Sequence, residues 1–127
     1  MHKSRLAGFI IDCRTEDLEE AARFWSAALG YPLRSLDEES APHKYREMLT
    51  QPHGLHIEVQ KVDHESRVHL DIETDDIEAE VQRLEGLGAR RIAQGLRWWI
   101  MEAPTGQRFC VVRPQKPDFA ERANTWE

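Results

Sequence analysis

Pro52-His53-Gly54-Leu55-His56-Ile57-Glu58-Val59 returns 52 residues later as Pro104-Thr105-Gly106-Gln107-Arg108-Phe109-Cys110-Val111. Each octet opens on a proline two places before a glycine, a turn signal, and closes as a strand. A second echo lies upstream of each. Asp17-Leu18-Glu19 and Asp76-Ile77-Glu78 stand 59 residues apart, both where a helical pattern begins. The difference of seven between the offsets is an extra stretch in the first half, which falls at the acidic loop Asp37 to Pro42. Two matches in the same order are the mark of an internal duplication.

Working outward, Leu6 to Cys13 reads as a short apolar strand. Thr15 offers an N-cap, and Glu16, Asp17, Glu19 and Glu20 crowd the first turn, where the helix dipole favours negative charge. Leu18, Ala21, Ala22, Trp25, Ala28 and Leu29 share one helical face, and Gly30 with Pro32 stops the helix. Tyr31 to Ala41 predicts a strand and then a polar loop. Lys44 to Thr50 and Leu55 to Val62 predict two strands joined by Gln51-Pro52-His53-Gly54, and Asp63 to Ser66 links the halves.

In the second half Val68, Leu70 and Ile72 alternate with His69, Asp71 and Glu73, a period-two strand. A helix follows from about Asp75 to Gly88, with Ile77, Val81 and Leu84 inward and Asp75 and Glu78 at capping-box spacing. Arg90 to Ala93, Arg97 to Ala103 and Arg108 to Arg113 predict three more strands. The order strand, helix, three strands occurs twice. It defines an α+β fold of two βαβββ modules in a single domain over 1–127, module one about 6–62 and module two about 67–113. The tail, 114–127, carries Phe119 and Trp126 and has the apolar means to pack on the body.

Composition narrows the function. A chain of 127 residues buries one core without disulfides or metal staples, and 40% hydrophobic with 31% charged residues is ordinary for a soluble domain. The net charge of -6, with no basic block, argues against nucleic-acid and anionic-membrane partners. No apolar run reaches the roughly 18 residues of a membrane span, and Met1 to Arg5 leads straight into a strand without a signal-peptide pattern. Cys13 and Cys110 lack metal-type spacing and a disulfide framework, so a reduced, cytoplasmic protein is expected.

Two such modules side by side predict a curved sheet around a cup, with helices on the other face. On the strand from Val68 to Glu73 the apolar residues then face the helix, and His69 and Asp71 face the cup. His56, Glu58 and Gln60 share a face opposite Ile57 and Val59, and Arg108 and Cys110 hold the repeat-equivalent positions. Trp98 and Trp99 are adjacent, so one points to the helix layer and one to the cup. An indole in the cup would stack on a flat ligand. The plainer role for the pair is core packing for one and an interface or lid for the other.

These residues resemble the vicinal oxygen chelate superfamily, the glyoxalase/bleomycin-resistance/dioxygenase group, and within it the glyoxalase-like domain proteins. The resemblance covers about Leu6 to Arg113. It rests on Asp17-Leu18-Glu19 with Phe24-Trp25 and Leu29-Gly30, on His69-Leu70-Asp71 with Asp76-Ile77-Glu78, on Leu87-Gly88-Ala89, and on Pro104 to Phe109. It implies the paired-module fold, a small-molecule ligand in the cup and a homodimer. It leaves two functions open. One is a lyase, isomerase or related enzyme acting on a small carbonyl compound. The other is a metal-free drug- or metabolite-binding protein of the bleomycin-resistance type, using Trp98 or Trp99.

The resemblance also implies metal-ligand positions at Ile10, Glu58, His69 and Cys110. Ile10 lies seven residues before Asp17 as His69 lies seven before Asp76. Glu58 and His69 are family-type ligands for a divalent metal. Ile10 cannot ligate, and Cys110 offers a thiolate where a carboxylate is usual. Asp12, His56 and Asp71 are neighbouring donors. Glu58 and His69 are likewise the catalytic candidates, since a carboxylate in an apolar cup has its pKa raised toward that of a general base. His56, Asp71, Trp98, Trp99 and Cys110 are the ligand-binding candidates. Plainer roles stand beside these: His69 as a partly buried histidine bonded to Asp71 or Glu58, Glu58 as a rim carboxylate paired with an arginine, and Cys110 as a small buried apolar side chain.

Overall fold

The computed structural model describes residues 1–35, 44–51 and 54–127, so the acidic loop at Asp37 to Glu39, His43, and Pro52 and His53 of the first turn lie outside the described residues. The described residues form an α+β fold of eight strands and three helices. They are β1 (His2–Arg14), α1 (Leu18–Leu29), β2 (Tyr45–Met48), β3 (His56–Val62), β4 (Arg67–Thr74), α2 (Ile77–Gly86), β5 (Arg90–Gln94), β6 (Trp99–Glu102), β7 (Arg108–Val112), α3 (Phe119–Arg122) and β8 (Asn124–Trp126). The second half shows the full βαβββ order. Among the described residues of the first half, the strand expected from Tyr31 is a single bridge between Leu33 and Met48, flanked by Arg34 N–H to Glu47 O and Leu49 N–H to Pro32 O. The chain divides into two compact units, Phe9–Val68 and Met1–Gly8 with His69–Glu127.

In the unit Phe9–Val68, α1 is capped by Asp17, whose carboxylate accepts the Glu20 N–H at 3.1 Å. This corrects the expected cap at Thr15. Thr15 sits two residues early, and its hydroxyl instead accepts the Asp17 N–H. Gly30 ends the helix at φ 78, a left-handed conformation that a Cβ makes costly. Leu18 and Ala22 are the buried residues of the helix. Leu18 joins Ile11, Met48, Ile57 and Val59 in the core, with Phe9, Cys13, Ala21 and Trp25 packed at its edge. Ala28 and Leu29 are exposed, so the buried stripe is shorter than periodicity predicts. Strands β2 and β3 run antiparallel, with Met48 opposite Ile57 and Glu47 opposite Glu58.

In the other unit, β4 and β7 run parallel while β6 runs antiparallel to both β7 and β5. Helix α2 is capped by Asp76, whose carboxylate accepts the Ala79 N–H at 3.1 Å. Asp75, expected to cap, instead accepts the Lys3 N–H at 2.8 Å and ties β1 to the end of β4. Val81, Leu84, Met101 and Val111 form the core, with Ile72, Ile77, Trp99 and Phe109 against it. Only Ile72 of the three alternating apolar residues on β4 joins that core, while Val68 and Leu70 stay 58% and 51% exposed. The tail packs on this unit. Phe119 is buried, and β8 pairs with the first residues of β1, Trp126 opposite His2. Among the described residues no helix is long and apolar enough to cross a membrane.

Candidate functional site

Alternation sorts the side chains of the unit that holds β4, β5, β6 and β7. Ile72, Trp99, Met101, Phe109 and Val111 turn toward α2. His69, Asp71, Ile100, Glu102, Arg108 and Cys110 therefore turn the other way. Asp71 and Cys110 are direct partners in the parallel β4–β7 pairing, and His69 lies one pleat before Asp71 on the same face. This long-range register brings three donors of different chemistry together. One ligand atom from each of His69, Asp71 and Cys110 lies within 4.8 Å of the others. It is the one group of this kind among the described residues.

The electrostatics of this group favour a cation. Asp71 is buried, and its Oδ1 makes no hydrogen bond, lying 3.4 Å from His69 Nε2. A buried carboxylate oxygen without a hydrogen bond is costly, and a positive charge removes that cost. An imidazole nitrogen, a carboxylate oxygen and a cysteine sulfur would together suit a borderline ion such as zinc.

A second polar group occupies the unit Phe9–Val68. His56 is buried, with Nε2 2.6 Å from Glu58 Oε1 and Nδ1 3.4 Å from Glu47 Oε1. Arg34 Nη1 donates to the other oxygen of Glu47 at 2.8 Å. The histidine thus lies between two carboxylates on adjacent antiparallel strands, hydrogen-bonded to Glu58 and 3.4 Å from Glu47, and the arginine engages Glu47. Glu47 escaped the sequence reading. Its signal was available in the alternation of Tyr45 and Glu47 with the buried Arg46 and Met48. Asp12 is buried with Arg67 Nε 3.9 Å from its Oδ2, and Ile10 is buried and apolar.

The tryptophans separate. Trp99 packs in the core cluster under α2, with the Arg91 guanidinium 5.1 Å from its ring centre. Trp98 lies just outside β6, in a turn closed by the Gly95 N–H to Trp98 O hydrogen bond at 2.9 Å. Its indole covers Gly95 so closely that a Cβ there would stand 2.1 Å from Trp98 Cε2. Gly95→Ala is therefore expected to expel the indole and to cost on the order of 1–3 kcal/mol. Tryptophan emission should shift to the red in this variant and not in Gly95→Ala combined with Trp98→Phe. Unchanged emission in the single variant would contradict this packing.

The family model described as glyoxalase-like domain matches residues 8–112. The chain belongs to the glyoxalase-like domain family, within the vicinal oxygen chelate superfamily to which its motifs point. A solved structure of a hypothetical protein from Bacillus halodurans C-125 superposes with a TM-score of 0.60 at 13% identity, covering 89% of this chain and 96% of that one. Methylmalonyl-CoA epimerase from Mycobacterium tuberculosis superposes with a TM-score of 0.58 at 20% identity, covering 91% of each chain. At these identities the likeness is one of fold. No curated protein matches the chain.

Proposed function

We propose that this chain is a cation-dependent glyoxalase-like enzyme acting on a small carbonyl compound, with the cation held by His69, Asp71 and Cys110. The observation that carries the reading is the approach of those three donors to within 4.8 Å on a face where Asp71 Oδ1 is buried without a hydrogen bond. A bound cation of this type supplies Lewis acidity that polarises a carbonyl oxygen. The chain's own residues do the remaining work. The carboxylate of Asp71, fixed by the strand pairing, supplies buried negative charge. His69 must present a neutral ring nitrogen and Cys110 a thiolate, so cation affinity falls as either is protonated.

Within the unit Phe9–Val68, Glu58 is proposed as a proton-handling carboxylate in its own right: its Oε1 shares a 2.6 Å hydrogen bond with His56, whose Nδ1 lies 3.4 Å from Glu47 Oε1. The tryptophan-based, metal-free binding alternative draws less support, because Trp99 packs under α2 and Trp98 closes over Gly95.

The test is exchange of carbonyl-adjacent C–H with deuterated water, followed by NMR over a panel of small aldehydes, ketones and 2-oxo acids. The zinc-loaded protein is expected to accelerate exchange for at least one compound, and the chelator-treated protein is not. Exchange that is equally fast with and without the cation would contradict the reading.

A further inference from the structure

On the same strand face as Cys110, two residues earlier, stands Arg108, and it is not alone. Glu102, its register partner on β6, accepts from Arg108 Nε at 3.1 Å and from Arg90 Nη2 through its other oxygen. Arg90 is the register partner of Glu102 on β5, so the three form a row across β5, β6 and β7. Hydrogen bonds from both arginines hold the Glu102 carboxyl below the usual range, so it stays ionised. Two guanidinium charges then face one carboxylate, and the row carries one uncompensated positive charge. Among the described residues Arg108 is hydrogen-bonded through Nε alone. Its Nη nitrogens make no hydrogen bond among the described residues, and its side chain is 38% exposed.

Spacing sets what this charge can recognise. Positions two apart on a strand are separated by about 6.6 Å, which puts the row one pleat from the cation ligands His69, Asp71 and Cys110. Ile100, the register partner of Cys110, is the apolar side chain of that face of β6. A compound whose carbonyl end meets the cation has room to lay a short carbon chain along Ile100 and reach Arg108 with an anionic end. A planar guanidinium with both Nη groups available matches a carboxylate in two parallel hydrogen bonds.

We infer that Arg108, balanced by Glu102 and Arg90, is the specificity-determining residue for a carbonyl substrate that carries a second, carboxylate end about one strand pleat from its reacting carbonyl. The inference rests on the cation-site reading above and deepens it. The substrate class is a short 2-oxo dicarboxylate or a close analogue, in preference to a 2-oxo monocarboxylate or a neutral ketone.

Calorimetric titration of the zinc-loaded protein with 2-oxoglutarate and with 2-oxobutyrate isolates the distal carboxylate, because both compounds share the 2-oxo acid end. The wild-type protein is expected to prefer 2-oxoglutarate by on the order of tenfold or more, the effect of one charge-assisted hydrogen-bonded pair. Arg108→Gln should abolish the preference while zinc content, measured on the same sample, stays at one ion per chain. Glu102→Gln should keep or increase it, since it removes the competing carboxylate; a variant that merely failed to fold would not do this. Zinc bound with equal affinity for the two compounds in the wild type, or an unchanged preference in Arg108→Gln, would overturn the inference and leave the cation site standing. Absence of zinc from the wild-type protein would overturn both.

Discussion

Glu80→Ala is expected to lower the unfolding free energy by about 3–5 kcal/mol, the usual cost of removing one partner from a buried ion pair. Glu80 sits on α2 with 0% of its surface exposed. It accepts from Arg83 Nε and Nη2, both at 2.8 Å, and lies 2.8 Å from His2 Nε2. Arg83 in turn lies 3.9 Å over the Trp126 ring, and Trp126 Nε1 donates to the buried hydroxyl of Ser4 at 2.8 Å. One carboxylate therefore anchors the start of β1 and, through Arg83, the terminal strand β8. Removing it strands a guanidinium that is three-quarters covered and loosens the docking of both chain ends. Urea denaturation checks this, with an unchanged midpoint as the contrary result.

The same carboxylate sets part of the acid sensitivity. Burial alone pushes the Glu80 carboxyl up, but hydrogen bonds from Arg83, His2 and Ser4 outweigh it and hold the group below its ordinary range. A lowered folded-state pKa contributes stability that is fully present above the unfolded value, near 4.3 for a free Glu, and is lost as pH falls through the folded value. Wild-type protein should accordingly lose more stability between about pH 5 and pH 3 than Glu80→Gln does.

His69→Ala is expected to weaken zinc binding by more than about 100-fold, beyond the 10–100-fold typical of losing an outer-shell partner. Three donors are the minimum for a site with one open position, and deletion of His69 leaves Asp71 and Cys110. The consequence extends to stability. Zinc at 100 times its dissociation constant should stabilise the wild-type protein by about 2.7 kcal/mol, and the variant should show no such gain. Melting curves recorded with and without zinc report both. A variant that still gains the full increment would place the ion elsewhere.

The parts of this molecule legible from the chain were those with local causes. Gly30 and the Asp17 and Asp76 neighbourhoods announce helix ends through backbone freedom and side-chain capping, although which of two nearby residues caps is decided by a single step in register. Alternation placed His69 and Asp71 on one face of β4 and His56 with Glu58 on one face of β3. Non-local pairing was not legible. Only the family resemblance put Cys110 with His69 and its neighbour Asp71; nothing local to Asp71 announces the parallel β4–β7 register that makes Cys110 its partner and sets Ile72 opposite Val111. The same limit hid Glu47 opposite Glu58, and His2, which offers no local signal yet meets the buried Glu80. Trp98 escaped alternation altogether, since β6 begins one residue later and the turn from Gly95 governs its side chain.

Cobalt(II) titration of the metal-free protein tests the central claim most directly, since cobalt substitutes for zinc and a thiolate ligand gives a charge-transfer band in the near ultraviolet. One cobalt per chain is expected, with a thiolate band lost in Cys110→Ser and retained in Cys13→Ser, and displacement by zinc. Binding without that band, or a band removed by Cys13→Ser and not by Cys110→Ser, would contradict it.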